Sequence, residues 1–240
     1  QCVEPIIVHL AKDEYADEYL SKLKSADIVI SQHISDQYPC KTIRTEALKS
    51  KLSNQFILIP NLFYRGYTPD LRYVRLQGKP TLDGPLGDYH SSIILDAWRQ
   101  GLQLNDALCL YKDEEYWNYQ YQNTAKESLK ELRSRERELD IEITSYIESH
   151  QHEEQLFFTF NHPSKRLIAQ LAQRIGSHLN LKSRYGARAS IIKEALDQFQ
   201  PPIHSFTKKQ LKLNFRSSEH FAVIDKNISG VKTFRTLTLA

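Results

Sequence analysis

The chain is poor in cysteine and contains no methionine. Its three cysteines, Cys2, Cys40 and Cys109, are odd in number and show no Cys-x-x-Cys spacing. This pattern argues against a disulfide framework and against a zinc site, so we expect a reducing, cytoplasmic environment and no bound metal. Because the chain also begins with Gln1 rather than methionine, we expect further residues to precede it.

Long apolar runs and dense positive charge are also missing. No stretch approaches the ~20 apolar residues that span a bilayer as a helix, and the first residues lack the basic segment of a secretion signal. The net charge of +3 is too small and too dispersed for a typical nucleic-acid binder. We therefore expect no transmembrane segment and no nucleic-acid partner, whereas the mild positive charge is compatible with an anionic ligand.

Short apolar runs alternate with helical patterns along the chain. The predicted strands cover residues 26–30, 55–60 and 156–160, with a late strand at 221–224. Helices are predicted over residues 3–23, 45–52, 90–100, 105–121, 124–148, 164–179 and 191–199, and residues 71–90 form a predicted long loop. This alternation predicts an α/β fold in which a parallel sheet is flanked by helices.

The domain organisation follows from the same pattern. Residues 1–200 are predicted to form an α/β catalytic domain, because strands and helices alternate over most of this length. The helical block at about 91–150 reads as an insertion or cap. Residues 201–240 are predicted to be a C-terminal extension packed on the same domain.

Polar residues cluster where the predicted strands end. These segments are residues 1–2 (after a strand expected before Gln1), 31–33, 61–70 and 161–162. In an open α/β sheet, ligands bind outside the carboxyl ends of the strands. The sequence therefore predicts a site to which distant segments contribute.

The Asn161-His162 pair ends the most apolar of these strands. Histidine titrates near neutrality, so His162 is a candidate general base. The alternative is that His162 only caps the helix that follows. Asn161 is a candidate donor to a developing oxyanion, or a turn residue that bonds its own backbone.

Two further positions are candidate catalytic residues. Cys2 would act as a thiolate nucleophile at a helix N-terminus, where the thiol pKa is lowered, or it is a small core residue. Either His33 or its neighbour Gln32 is a candidate to orient a base or to bind a polar group of the substrate. The alternative for both is a hydrogen-bonded loop pair.

A second group of residues is typical of a ligand wall. Arg65 and Tyr67 lie in the 61–70 loop, which mixes a cation, a glycine, an aromatic ring and a carboxylate. Lys165 and Arg166 begin a helix, where exposed N–H groups favour an anion such as phosphate. His90 is either a further site histidine or the start of a helix.

Five segments together resemble a known family, the WcbI-type polysaccharide biosynthesis family. They are Ala26–Gln32, Ile59–Asp70, Asp88–His90, Glu136–Ile141 and Leu156–Pro163. The resemblance extends from residue 1 to about residue 180. The Phe-Tyr-x-Gly-Tyr-x-Pro-Asp and Asn-His-Pro elements are specific in combination, although neither would suffice alone.

This resemblance implies an acetyltransferase of capsular polysaccharide assembly that binds coenzyme A, on a fold similar to that of the SGNH hydrolases. The nucleophile then follows the first strand, and the base histidine, at His162, lies late in the chain. The family opens with Gly-Asn-Cys-Gln, so its cysteine corresponds either to Cys2 or to a residue before Gln1. The cations nearest the implied site are Arg65, Arg72, Arg75, Lys165 and Arg166, and they are candidates for the coenzyme A phosphates.

Two other functions remain open at this stage. An esterase or deacetylase on the same fold would use water in place of a saccharide acceptor. A non-catalytic glycan-binding protein would use exposed aromatic rings, for which the best candidates are Tyr111, Tyr116, Trp117, Tyr119 and Tyr121. The alternative role of that cluster is to pack a helical cap. The acceptor sugar, the oligomeric state and the choice between covalent and direct transfer stay open.

Overall fold

The computed structural model describes residues 3–77, 81–84, 86–181, 194–197 and 199–217, and the backbone of two strands at 221–225 and 233–237. These residues form a mixed α/β structure. The chain divides into two compact units: residues 1–61 with 133–143, and residues 62–132 with 144–240. Within the described ranges, no helix combines the length and apolar character needed to cross a membrane.

The helices are mostly short. They are α1 (Ala16–Lys24), α2 (Thr45–Lys51), α3 (Ser92–Arg99), α4 (Leu104–Lys112), α5 (Glu114–Tyr121), α6 (Thr124–Glu136), α7 (Thr144–His150), α8 (Lys165–His178) and α9 (Ser205–Gln210). Short 3-10 helices lie at Val8–Leu10, Asp13–Tyr15 and Lys41–Ile43. The predicted helices at 45–52, 90–100 and 164–179 are confirmed with small changes at their ends.

The strands form several small sheets. They are β1 (Ile28–Gln32), β2 (Gln55–Ile59), β3 (Leu71–Tyr73), β4 (Tyr89–Ser91), β5 (Phe157–Thr159), β6 (His162–Pro163), β7 (Phe199–Gln200), β8 (Phe221–Asp225) and β9 (Thr233–Leu237). Among the described strands, only β1 and β2 pair in parallel. The pairs β3–β4, β5–β6, β7–β8 and β8–β9 are antiparallel, so the predicted parallel arrangement is seen for one pair.

The first unit contains the parallel pair. Its register places Ile28 opposite Gln55 and Gln32 opposite Ile59, which confirms both predicted strands. The segment after β1 is fixed to the start of α2, because the Ile34 N–H donates to Thr45 Oγ1 at 2.8 Å and the Thr45 N–H donates to the Ile34 carbonyl at 3.1 Å. These two hydrogen bonds fix the position of the chain just after β1 ends.

The predicted helix over residues 3–23 is wrong in its first half. Only its C-terminal part forms α1, and the preceding residues contain two 3-10 helices. Val3, Ile7 and Leu10, whose helical spacing supported the predicted helix, are exposed. Short helices depend on packing of an apolar face, and among the described residues of this segment only Val8 and Ala11 pack against the buried cluster around Ile34 and Ile43.

Two predicted long helices are each broken by a carboxylate. Asp113 separates α4 from α5, because its carboxylate accepts hydrogen bonds from the N–H groups of Glu115 and Tyr116 at 2.8 and 3.0 Å. Glu136 ends α6 and is 4% exposed. Its Oε1 accepts from the Ile143 N–H at 2.7 Å, which provides a partner for a carboxylate that the sequence places in the apolar stripe of Leu129, Leu132 and Leu139.

The predicted loop over residues 71–90 begins and ends in short strands instead. β3 and β4 pair because Leu71 and Tyr89 are buried in one apolar cluster with Phe160 and Phe199. The prediction of a helix at 191–199 falls partly outside the described residues, and its end forms β7. The late strand predicted at 221–224 is confirmed as β8.

The aromatic residues around α5 mostly build a core. Trp117 and Tyr121 are buried with Ile93 of α3. The Trp117 ring also stacks on His204, with the ring centroids 3.9 Å apart. Tyr119 is the exception, at 80% exposure. The packing role considered for this cluster therefore describes Trp117 and Tyr121, whereas Tyr119 faces solvent.

Gly66 is required by the packing of Tyr64. A Cβ atom at Gly66 would lie 2.0 Å from the Tyr64 hydroxyl oxygen and 2.1 Å from Cζ. The Tyr64 ring cannot move away easily, because it is 1% exposed and its hydroxyl donates to Gln151 Oε1. The glycine therefore permits the close approach of the backbone to a buried ring.

We expect Gly66→Ala to lower the free energy of unfolding by roughly 1–3 kcal/mol, the usual cost of overpacking a core. The matched control is Gly176→Ala within α8, where a Cβ would meet nothing within 4 Å. Alanine there should stabilise by roughly 0.5–1 kcal/mol through helix propensity. Urea denaturation of both variants measures the difference, and equal effects would contradict the proposed clash.

Candidate functional site

The structure places the sequence-predicted site residues in different parts of the molecule. Cys2 lies outside the described residues. Gln32 and His33 belong to the first unit, where both are exposed. The second unit contains the remaining predicted site residues: Arg65, Tyr67, His90, Asn161, His162, Lys165 and Arg166.

His162 lies on a chain reversal. β5 ends at Thr159, the chain turns through Phe160 and Asn161, and β6 returns antiparallel with His162 opposite Thr159. The expected direct passage from strand to helix is therefore wrong. Helix α8 begins only at Lys165, and Ser164 rather than His162 caps it by accepting from the Leu167 N–H at 3.4 Å.

A network of side-chain hydrogen bonds surrounds this turn. The Tyr89 hydroxyl lies 2.8 Å from Asn161 Oδ1 and 3.2 Å from His162 Nε2. The hydroxyl of Thr159 is 3.1 Å from both the Tyr89 hydroxyl and Asn161 Oδ1. Asn161 Nδ2 donates to the Tyr73 hydroxyl at 2.8 Å. The two predicted residues thus share a network with three that the sequence analysis did not select.

The electrostatics of the network favour neutral groups. Burial lowers the pKa of His162, and the backbone of Leu196 acts in the opposite direction. Burial raises the pKa of the Tyr89 phenol. Both side chains are therefore uncharged at neutral pH, which leaves the imidazole able to accept a proton.

The Nδ1 atom of His162 is buried and has no hydrogen-bond partner within the described part of the chain. Buried polar atoms usually find a partner, so an exception calls for an explanation, and catalysis is one of the recognised reasons. His162 therefore combines a fixed ring edge at Nε2 with an unpaired nitrogen at Nδ1.

Two arginines of the second unit, Arg65 and Arg72, lie close to each other and to several carboxylates, namely Asp70, Glu127 and Glu131. Arg65 is half-buried, and its guanidinium donates to the Pro69 carbonyl at 2.9 Å. Burial lowers the pKa of Arg65, and the charge of Arg72 lowers it further. Burial raises the pKa of Asp70, while Arg72 and Arg65 oppose that change. Arg72 is exposed and makes no salt bridge with any described residue.

The predicted anion pocket at the start of α8 already holds carboxylates. The Lys165 backbone N–H donates to Glu194 Oε1 at 2.7 Å. Arg166 forms a salt bridge with Glu154, which raises the pKa of its guanidinium. These contacts satisfy the groups that the sequence assigned to a phosphate.

Tyr67 and His90 are also engaged inside the second unit. Tyr67 is 2% exposed, and its hydroxyl lies 2.7 and 2.9 Å from the carbonyl oxygens of Gln151 and Glu154. His90 Nε2 lies 2.9 Å from the Leu82 carbonyl. In this arrangement the Tyr67 hydroxyl stabilises the fold instead of facing a ligand.

Tyr89, Tyr73 and Thr159 are the residues that sequence reasoning missed. Thr159 lies opposite His162 in the β5–β6 register, a relation that depends on the unpredicted reversal. Tyr73 and Tyr89 face each other in the β3–β4 pair, within the predicted loop. The one sequence signal for this network is the Asp-Tyr-His motif, in which Tyr89 stands beside the candidate His90.

Comparison with known proteins identifies the family of this chain. The model of the WcbI polysaccharide biosynthesis enzyme family matches residues 3–184. The chain belongs to this family. As a member of the WcbI family it is a polysaccharide biosynthesis enzyme. No curated protein sequence matches the chain.

A solved structure of WcbI, described as a polysaccharide biosynthesis enzyme, has the same fold. It aligns with a TM-score of 0.73 at 18% sequence identity, over 89% of this chain and 70% of the WcbI chain. That structure is described as native WcbI without a disulfide bond between coenzyme A and a cysteine. At this level of identity the likeness supports the fold of this WcbI-family chain.

We expect the His162 imidazole to titrate below the ordinary value of 6.5, because burial disfavours its charged form. The unfolded chain then binds more protons than the folded chain between the two pKa values, so the free energy of unfolding should also decrease as the pH falls through that range. NMR titration of the histidine ring signals measures the pKa, with the His162 signal identified by its loss in His162→Gln. A midpoint at or above 6.5 would contradict the buried environment.

Proposed function

We propose that this WcbI-family protein transfers an acetyl group from acetyl-CoA to a sugar hydroxyl in the biosynthesis of a capsular or other surface polysaccharide. The observation that carries the proposal is His162, neutral, held through Nε2 and unpaired at Nδ1. Family membership supports the polysaccharide context. The coenzyme A named for WcbI supports the acyl donor.

The chemistry requires one proton to move from acceptor to leaving group. The sugar oxygen attacks the thioester carbonyl, a C–O bond forms, and His162 takes the hydroxyl proton as general base. When the C–S bond breaks, the proton passes to the coenzyme A sulfur. A route through an acetyl-cysteine at Cys2, or at a cysteine before Gln1, would use the same histidine twice and stays open beside direct transfer.

Asn161 is suited to support the transition state. One of its amide hydrogens is used by Tyr73, and the second has no acceptor among the described residues. An amide donor aimed at a developing oxyanion stabilises a tetrahedral intermediate. The Oδ1 contacts with Tyr89 and Thr159 fix the amide orientation, so this donor is held in place before substrate arrives.

The residues that fit the coenzyme A phosphates best are Arg65 and Arg72. Each influences its neighbourhood as a positive charge, and Arg72 makes no salt bridge in the described ranges. Guanidinium groups pair with phosphate through two hydrogen bonds at once. Lys165 and Arg166 remain weaker candidates, because a phosphate there would compete with Glu194 and Glu154.

The same proposal includes the architecture expected from the sequence. Residues 1–200 would form the catalytic domain, with the helices of 91–150 as its cap and residues 201–240 as its extension. Packing of α3 with α5 through Ile93, Trp117 and Tyr121 supports a folded helical cap. The relation to SGNH hydrolases is part of this proposal, as is the cytoplasmic location.

We expect the protein to bind coenzyme A in a calorimetric titration. Arg72→Ala should weaken binding about tenfold, since a charge-assisted hydrogen bond contributes about 1.5 kcal/mol or more. The matched control is Arg99→Ala, which removes an exposed arginine paired with Asp96 on α3 and should bind normally. Absence of coenzyme A binding would exclude the transferase and favour a hydrolase.

We expect His162→Gln to reduce acetyl transfer to a saccharide acceptor by a factor of about 10²–10⁴, the usual contribution of a general base. Binding of coenzyme A should persist, because the substitution removes a proton acceptor and no charge. His178→Gln, at an exposed position near the end of α8, serves as the control. Undiminished transfer by His162→Gln would refute the catalytic assignment.

A further inference from the structure

The Tyr89 side chain joins the aromatic core to the His162 turn. Its ring is 7% exposed and stacks on Phe199 with the centroids 5.1 Å apart. Phe160 and His162 meet the same ring edge to face, at 5.3 and 5.8 Å. The ring is therefore fixed by packing, and its hydroxyl is held at one position beside the imidazole.

The Tyr89 hydroxyl has one proton and three close polar neighbours, of which the Thr159 hydroxyl donates to it at 3.1 Å. Asn161 Oδ1 lies at 2.8 Å and His162 Nε2 at 3.2 Å. In this amide orientation Asn161 Oδ1 faces the Tyr89 and Thr159 hydroxyls, and Nδ2 donates to the Tyr73 hydroxyl. The shorter contact takes the proton, so the Tyr89 oxygen is left to accept a hydrogen bond from His162 Nε2–H.

The unpaired nitrogen supports the same assignment. If Nε2 carries the hydrogen, the buried Nδ1 is an unused acceptor; if Nδ1 carries it, the site contains a buried N–H with no partner. Orphaned buried N–H groups are rarer in proteins than underused acceptors.

We propose that Tyr89 is the positioning residue of His162: its hydroxyl accepts a hydrogen bond from Nε2–H, which fixes the ring and leaves Nδ1 as its basic nitrogen. This inference rests on the proposed acetyl transfer. Tyr89 takes the role that a carboxylate has in a serine-protease triad, where the third group orients the ring and selects its tautomer, but with the two ring nitrogens exchanged. A neutral phenol does both, but it stabilises the imidazolium less than a carboxylate does.

The first test is the tautomer of His162 in the unmodified protein. Nitrogen-15 NMR at a pH above the titration range distinguishes a protonated ring nitrogen from a bare one by chemical shift. We expect Nε2–H and a bare Nδ1, with the His162 signals assigned from His162→Gln. An Nδ1–H tautomer would overturn the proposal, whether or not the protein transfers acetyl groups.

The second test is Tyr89→Phe, which keeps the ring that packs on Phe160 and Phe199 and removes only the hydroxyl. The pKa of His162 should fall further, because the imidazolium loses its acceptor. For acetyl transfer, kcat should decrease about tenfold or more while KM for acetyl-CoA stays unchanged, since a misoriented base affects the chemical step. Tyr119→Phe, at an exposed site, should change neither quantity.

The outcomes separate the two proposals. A pKa of His162 that rises or stays constant in Tyr89→Phe would overturn the positioning role, even if kcat falls. The expected tautomer and pKa change in a protein that transfers no acetyl group would support the positioning of His162 and refute the acetyl transfer.

Discussion

The reversal of the chain between Thr159 and His162 is the constraint on which the candidate site depends. It places the Thr159 hydroxyl, the Asn161 amide and the His162 ring beside the hydroxyl of one tyrosine from β4. A second backbone contact holds the turn, because the Tyr64 N–H donates to the Phe160 carbonyl at 2.8 Å. The loop that begins at Tyr64 needs Gly66 for its own packing, so the turn and the loop support each other.

The dry aromatic surroundings explain the chemical character of this site. Rings from β3, β4, the turn and β7 exclude water around Tyr89, which raises its pKa, while burial also lowers that of His162. In a wet site the same two groups would lie closer to their ordinary pKa values, and the imidazole would spend more time charged. Burial by apolar rings thus keeps a base ready near neutral pH without a charged partner.

The sequence predicted His162 and Asn161 because a polar pair that ends an apolar run is visible locally. It could not predict Tyr89, because the contact with Asn161 joins residues 72 positions apart through strands too short to show a periodic pattern. The helix break at Glu136 had a local signal, since a carboxylate stood in an apolar stripe. Its partner, the Ile143 N–H, appears only once the chain has folded back.

The contact between Glu194 and the Lys165 N–H has a consequence for selectivity. A carboxylate on the same chain acts at an effective concentration on the order of millimolar, or more when the geometry is well matched. A dilute external anion therefore has to outcompete a tethered one for the first turn of α8. Occupancy of this turn by an external anion then depends on its affinity as well as on its concentration, so the turn excludes anions that bind weakly.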